Sequence, residues 1–215
     1  IVELKKYIWF FIIGILFLAV DIQVSLGQPY PEMTTDAELG EELQRKIINN
    51  FIGDQPTVDI ISDVLGYLLL AIGCILMLKV DKNFFPPLLF VPIAILLIFI
   101  VPQLPYKYQM GDLYLKFAGY TFLIGFVQIL IEFLLMRGIV KLTKSLQNQW
   151  YTNEMLIGWI LAMSIKAIQV FIHFFYGRNV LYNIFKVIMI LSTIFYMNRL
   201  TVVLKNYYRE EAEKE

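Results

Sequence analysis

Ionisable side chains inside apolar stretches are the first candidates for chemistry in this sequence. Asp21, Asp59, Asp63, Lys116, Glu132, Lys166, His173 and Lys186 each stand among mostly aliphatic or aromatic neighbours. A charge taken into a bilayer is expensive, so such groups persist only where they pair, line a wet cavity or act on something. Asp21 and Asp63 with Lys166 and Lys186 can neutralise one another, and Gln169 and His173 add hydrogen-bonding capacity. The chemistry expected of this set is recognition of a small polar or charged solute. The candidate binding residues are therefore Asp21, Asp63, Lys166, Gln169, His173 and Lys186.

Bond-breaking chemistry finds little support. The single histidine, His173, rules out an HExxH zinc site or a paired-histidine haem or copper site, and the single cysteine, Cys74, rules out a CxxC pair. No GxSxG elbow or glycine-rich phosphate loop is present. Asp59-Ile60-Ile61-Ser62-Asp63 sets two carboxylates on one helical face and could hold Mg²⁺ against a diphosphate, but Asp59 also fits as an acidic charge at a helix N-terminus. No catalytic residue, metal or cofactor is expected, and the chain is not expected to be an enzyme.

The elements that must position these groups are membrane spans. Of 215 residues, 59% are apolar and 15% aromatic, and the mean hydropathy is +0.66, outside the range of water-soluble domains. Lys+Arg 18 balance Asp+Glu 18, so no net field attracts nucleic acid. A spanning helix needs roughly 20 apolar residues. Segments 7–27, 58–78, 84–104, 113–136, 155–176 and 180–199 meet that length, which predicts an all-α integral membrane protein, one polytopic domain of about six transmembrane helices over 1–215. The run 7–27 is long enough to span and is read as the first helix rather than a secretory signal.

At 100° per residue the polar positions fall on seams. Gly14, Leu18, Asp21 and Ser25 share a stripe, as do Asp59, Asp63, Gly66, Leu70 and Gly73; Thr121, Gly125, Gln128 and Glu132; Lys166, Gln169 and His173; and Asn183, Lys186 and Thr193. The third span has no ionisable residue and is expected at the lipid-facing periphery. Placing each span on a common midplane puts Lys166 near the centre, Asp21, Asp63, His173 and Lys186 somewhat outward, and Glu132 alone inward. This predicts a polar cavity open to the external face, with Asp21 or Asp63 as the acid at Lys166.

Basic residues set the orientation. Lys5, Lys6, Lys79, Lys82, Arg137, Lys141, Lys144, Arg199, Lys205, Arg209 and Lys214 fall on one side, against Arg45, Lys46, Lys107 and Arg178 on the other. Both termini are therefore expected in the cytoplasm, in a bacterial-type plasma membrane. The 28–56 loop is then external, with an amphipathic helix marked by Leu39, Leu43, Ile47 and Phe51. The tail 200–215 is cytoplasmic and, from Lys205 on, is expected to extend the sixth helix before fraying; Tyr207 and Tyr208 can anchor at the interface. Gly14 and Asp21 recur as Gly125 and Glu132 at the same spacing, as an inverted repeat of three helices would produce.

Three functions compete on these grounds. The first is binding or transport of a small polar or ionic solute. The second is a non-catalytic subunit or regulator that contacts a protein partner or further copies of itself. The third is a lipid-modifying enzyme using Asp59 and Asp63.

Overall fold

The computed structural model describes residues 2–19, 24–25, 57–58, 60–101, 110–146, 149–176 and 180–213. Apart from one two-residue β ladder, the described chain is helical: α1 (Val2–Ala19), α2 (Ile60–Met77), α3 (Phe85–Ile100), α4 (Met110–Leu142), α5 (Trp150–Tyr176) and α6 (Val180–Ala212). Four apolar helical stretches, Lys82–Ile100 (α3 with the 3-10 turn Lys82–Phe84 before it), Ala118–Leu142, Trp150–His173 and Val180–Glu210, are long enough to cross a membrane by length and composition.

Local sequence sets several boundaries. The first helix is described only to Ala19, and β1 (Val24–Ser25) pairs antiparallel with β2 (Thr57–Val58), so the expected helix over 7–27 gives way to extended chain before its end. Val24 and Val58, both β-branched, face each other in that ladder. The last helix continues past 199 to Ala212, in agreement with the expected extension of the sixth helix into the tail, because Thr201 to Arg209 contains no glycine or proline to stop it. Asp81 ends the turn after α2: its carboxylate accepts from the backbone N–H of Asn83 at 2.8 Å and from Asn83 Nδ2 at 2.6 Å. Pro86 and Pro87 then occupy the first turn of α3, where a missing N–H costs nothing. The amphipathic segment expected over 36–52 lies outside the described residues.

Each helix packs on its neighbours in the chain, and α6 returns to α1, so the six form a closed sequential ring. Three contacts fix which ends lie together. The β ladder joins the end of α1 to the start of α2. At the opposite end, Lys141 of α4 donates to Asn83 Oδ1 at 2.7 Å, and Tyr208 of α6 donates to Met77 Sδ of α2 at 3.8 Å. Tyr207 and Tyr208 are thus buried in the bundle, correcting their expected place as interfacial anchors. Exposed Lys79, Lys82, Lys141, Lys144, Lys205 and Arg209 gather at this second end.

Small residues bring backbones together where the seams predict it. A Cβ on Gly66 would stand 2.9 Å from the Gly14 carbonyl oxygen, so α1 and α2 cross backbone to backbone. A Cβ on Gly125 would stand 2.6 Å from Val170 Cγ2, which marks the closest register of α4 against α5. Gln128 of α4 reaches across to α1 and donates to the Leu18 carbonyl at 3.3 Å, which satisfies an acceptor of the last turn of α1. Outward faces are apolar, with Leu89, Ile93, Leu96 and Phe99 on α3 and Ile157, Ile160, Leu161 and Ile168 on α5 all exposed. The α3 span is a third buried, the lowest share of the four, yet α3 is a full member of the ring.

Candidate functional site

Lys166 points into the bundle, 7% exposed, and its Nζ donates to Glu132 Oε1 at 2.6 Å. The expected partner was an acid of the first or second helix; the acid present is Glu132 of α4. The physical reason is stagger. Gly125 and Val170 lie level, Glu132 is seven residues toward the basic end from Gly125, and Lys166 is four residues that way from Val170. At 1.5 Å per residue the two Cα atoms differ in level by only about 4.5 Å, which a lysine and a glutamate bridge easily. A common midplane for every span concealed this.

Two phenols complete the neighbourhood. Tyr67 of α2 and Tyr196 of α6 are both 0% exposed, and the Glu132 charge acts on both. Their levels agree by an independent route. The Tyr208–Met77 contact levels α6 with α2; Tyr196 lies twelve residues above Tyr208 and Tyr67 ten above Met77, about 18 Å and 15 Å respectively. Glu132 lies nine residues above Lys141, itself held at the α2–α3 turn, or about 14 Å. Glu132, Lys166, Tyr67 and Tyr196 therefore occupy one layer, drawn from α4, α5, α2 and α6.

That layer is incompletely satisfied. Glu132 Oε2 and the hydroxyls of Tyr67 and Tyr196 have no hydrogen-bond partner among the described residues. A buried polar atom left in that state is destabilising, and native structures usually supply water or a ligand.

The other expected binding residues are distributed as follows. Gln169 and His173 are buried on the same face of α5 as Lys166, one and two turns further along, and the His173 ring stacks obliquely on Tyr182 of α6 at 5.2 Å. Lys186 of α6 and Asp63 of α2 are half-buried, and Asp63 acts electrostatically on Tyr67. Asp21 lies outside the described residues. No group of three or more His, Cys, Asp or Glu side chains suited to a metal occurs among the described residues. Cys74 is buried and free.

A second ion pair lies toward the basic end and differs in kind. Arg199 Nη1 meets Glu154 Oε2 at 2.9 Å, and the guanidinium also lies over the Phe195 ring at 5.2 Å. Both side chains remain about a third exposed, so this pair is open to its surroundings.

No family model, curated protein or solved structure matches the chain. The functional reading therefore rests on the geometry of the layer.

Sequence reasoning named Lys166, Gln169 and His173 and noted Glu132, but passed over Tyr67 and Tyr196. A weak signal existed. Tyr67 lies one turn after Asp63, at the edge of the small-residue stripe of α2, and Tyr196 lies three residues after Thr193 on the seam of α6. Aromatics are too common here, at 13 Tyr and 17 Phe, for type alone to single out two of them.

Proposed function

We propose that this chain is a six-helix membrane protein that binds and moves a small polar or charged solute through the Glu132–Lys166 layer. The observation that carries the reading is the buried ion pair with Glu132 Oε2 unpartnered. A pair serving only to fix helix register is tolerated when its remaining lone pairs are satisfied, and this one leaves capacity directed at something else. Intramembrane ionisable groups of this kind mark solute or ion pathways. Gln169 and His173 extend the polar face of α5 from Lys166 toward the β-ladder end and supply the approach.

The proposal places all six helices across the bilayer, with α1 and α2 completing the four stretches of full spanning length. Gathering of exposed lysines and arginines at the end shared by the α2–α3 turn, the α4–α5 turn and the C-terminal tail supports a cytoplasmic location for both termini. The 28–56 loop is then external. The occurrence of close-packed Gly14 at the α1–α2 crossing and Gly125 at the α4–α5 contact supports two inverted halves.

The experiment is a thermal-shift survey of the purified full chain against polar solutes, repeated with Lys166→Met. A ligand at about 100 times its Kd stabilises by about 2.7 kcal/mol, a readily visible shift. Binding by the native chain that Lys166→Met removes supports the reading. Absence of any solute-dependent shift together with co-purification of a stoichiometric protein partner replaces it with the subunit reading.

A further inference from the structure

The centre of the ring carries more hydrogen-bonding capacity than its own side chains use. Glu132 Oε1 takes the Lys166 ammonium, while Glu132 Oε2, Tyr67 Oη and Tyr196 Oη, on three different helices at one level, have no partner among the described residues. All three residues are at most 1% exposed, so bulk water does not serve them. Buried water or a bound polar molecule is the ordinary remedy for such a set.

The chemistry of that molecule follows from the groups that meet it. Glu132 and Lys166 are already paired, so the layer is neutral before anything binds. Glu132 Oε2 is an acceptor only, and its guest must donate an N–H or O–H to it. An anion would face the carboxylate. A cation would compete for Glu132 and leave the Lys166 ammonium buried without its counter-charge, at high cost. The two phenols both donate and accept, so they suit a guest with lone pairs as well as protons. We infer that the solute of this site is electrically neutral and carries both a donor and an acceptor, as a small polyol or amide does, with water as its minimal form. This rests on the solute-moving role proposed above and narrows its solute from polar or charged to neutral.

The test uses the full chain in phosphatidylethanolamine–phosphatidylglycerol vesicles, with glycerol and urea entry followed by stopped-flow light scattering and sodium and chloride entry by tracer. The native chain is expected to accelerate glycerol or urea over protein-free vesicles and to leave both ions at background. Tyr67→Phe and Tyr196→Phe are each expected to slow the neutral solute about two- to tenfold, the effect of one lost hydrogen bond, with helicity unchanged. Ion entry without glycerol or urea entry overturns the neutral-solute inference and leaves the solute-moving role standing. Background rates for all four probes overturn the role and the inference together. Unchanged neutral flux in both phenylalanine variants, with their melting temperatures raised by removal of an orphaned hydroxyl, overturns the assignment of the site.

Discussion

Replacing Lys166 by methionine removes the ammonium and keeps most of the side-chain volume, so its effect isolates the charge. The carboxylate it leaves behind is 1% exposed, loses its 2.6 Å partner, and already has no partner at Oε2. Breaking a buried pair in this way costs about 3–5 kcal/mol, and the lack of a partner for Oε2 among the described residues argues for the upper half of that range. The double replacement Lys166→Met with Glu132→Met removes both charges and is expected within about 1 kcal/mol of the native chain, since well-packed apolar substitutes for a buried pair are often neutral. The coupling between the two positions is therefore at least about 2 kcal/mol. The same cycle at Arg199 and Glu154, whose side chains are 35% and 30% exposed, is expected to give under about 1 kcal/mol. Reversible unfolding in mixed detergent micelles, followed by tryptophan fluorescence, measures both; Trp159 packs on Phe133 beside Glu132 and reports locally. A Lys166→Met variant as stable as the native chain, or a double variant no better than the single, would refute the buried, incompletely satisfied pair on which the site is built.

Other outcomes follow from the packing. Gly66→Ala places a methyl 2.9 Å from the Gly14 carbonyl and 2.8 Å from Leu18, and is expected to lower stability by about 1–3 kcal/mol in the same unfolding assay. Cysteines introduced at Lys79 and Lys144 should react with an impermeant thiol reagent from the same face of the membrane, with native Cys74, 2% exposed, silent throughout; reaction from opposite faces would contradict the shared end. Lys116→Met should leave glycerol and urea entry into vesicles at native rates while Lys166→Met abolishes it, because Lys116 is exposed and its long stem can reach the membrane surface.

Hydropathy located the six helices and their order well, because a run of apolar residues signals its own length. The seams located the close crossings too: Gly14, Gly66, Gly73 and Gly125 all sit at contacts where a side chain would intrude. What single-helix periodicity cannot carry is the offset of one helix along another. Glu132 fell outside the candidate site because its span was centred independently of its neighbour, and the true register is set by how Val170 seats against Gly125. The ends of α1 and α2 were misjudged for a related reason: Val24, Ser25, Thr57 and Val58 are as apolar or small as helix residues, and only their pairing with each other makes them extended. Tyr207 and Tyr208 have the composition of an interfacial anchor, and their burial follows from α6 continuing alongside the end of α2.

The closed sequential ring also has a history in time. Contacts between consecutive helices can form as each one is made, but the α6–α1 seam cannot, so the sixth helix acts as the latch of the assembly. Glu132 precedes its partner by 34 residues, about 2–7 s of synthesis at ordinary rates. If the ring assembles in a bilayer as proposed, α4 waits through that interval with an acid whose counter-charge has not yet been translated. Tyr196 arrives later still, with the latch. A chain cut within α6 ahead of Tyr196 would thus keep its ion pair and lose the last wall of the layer, and cellular quality control would meet an open five-helix arc.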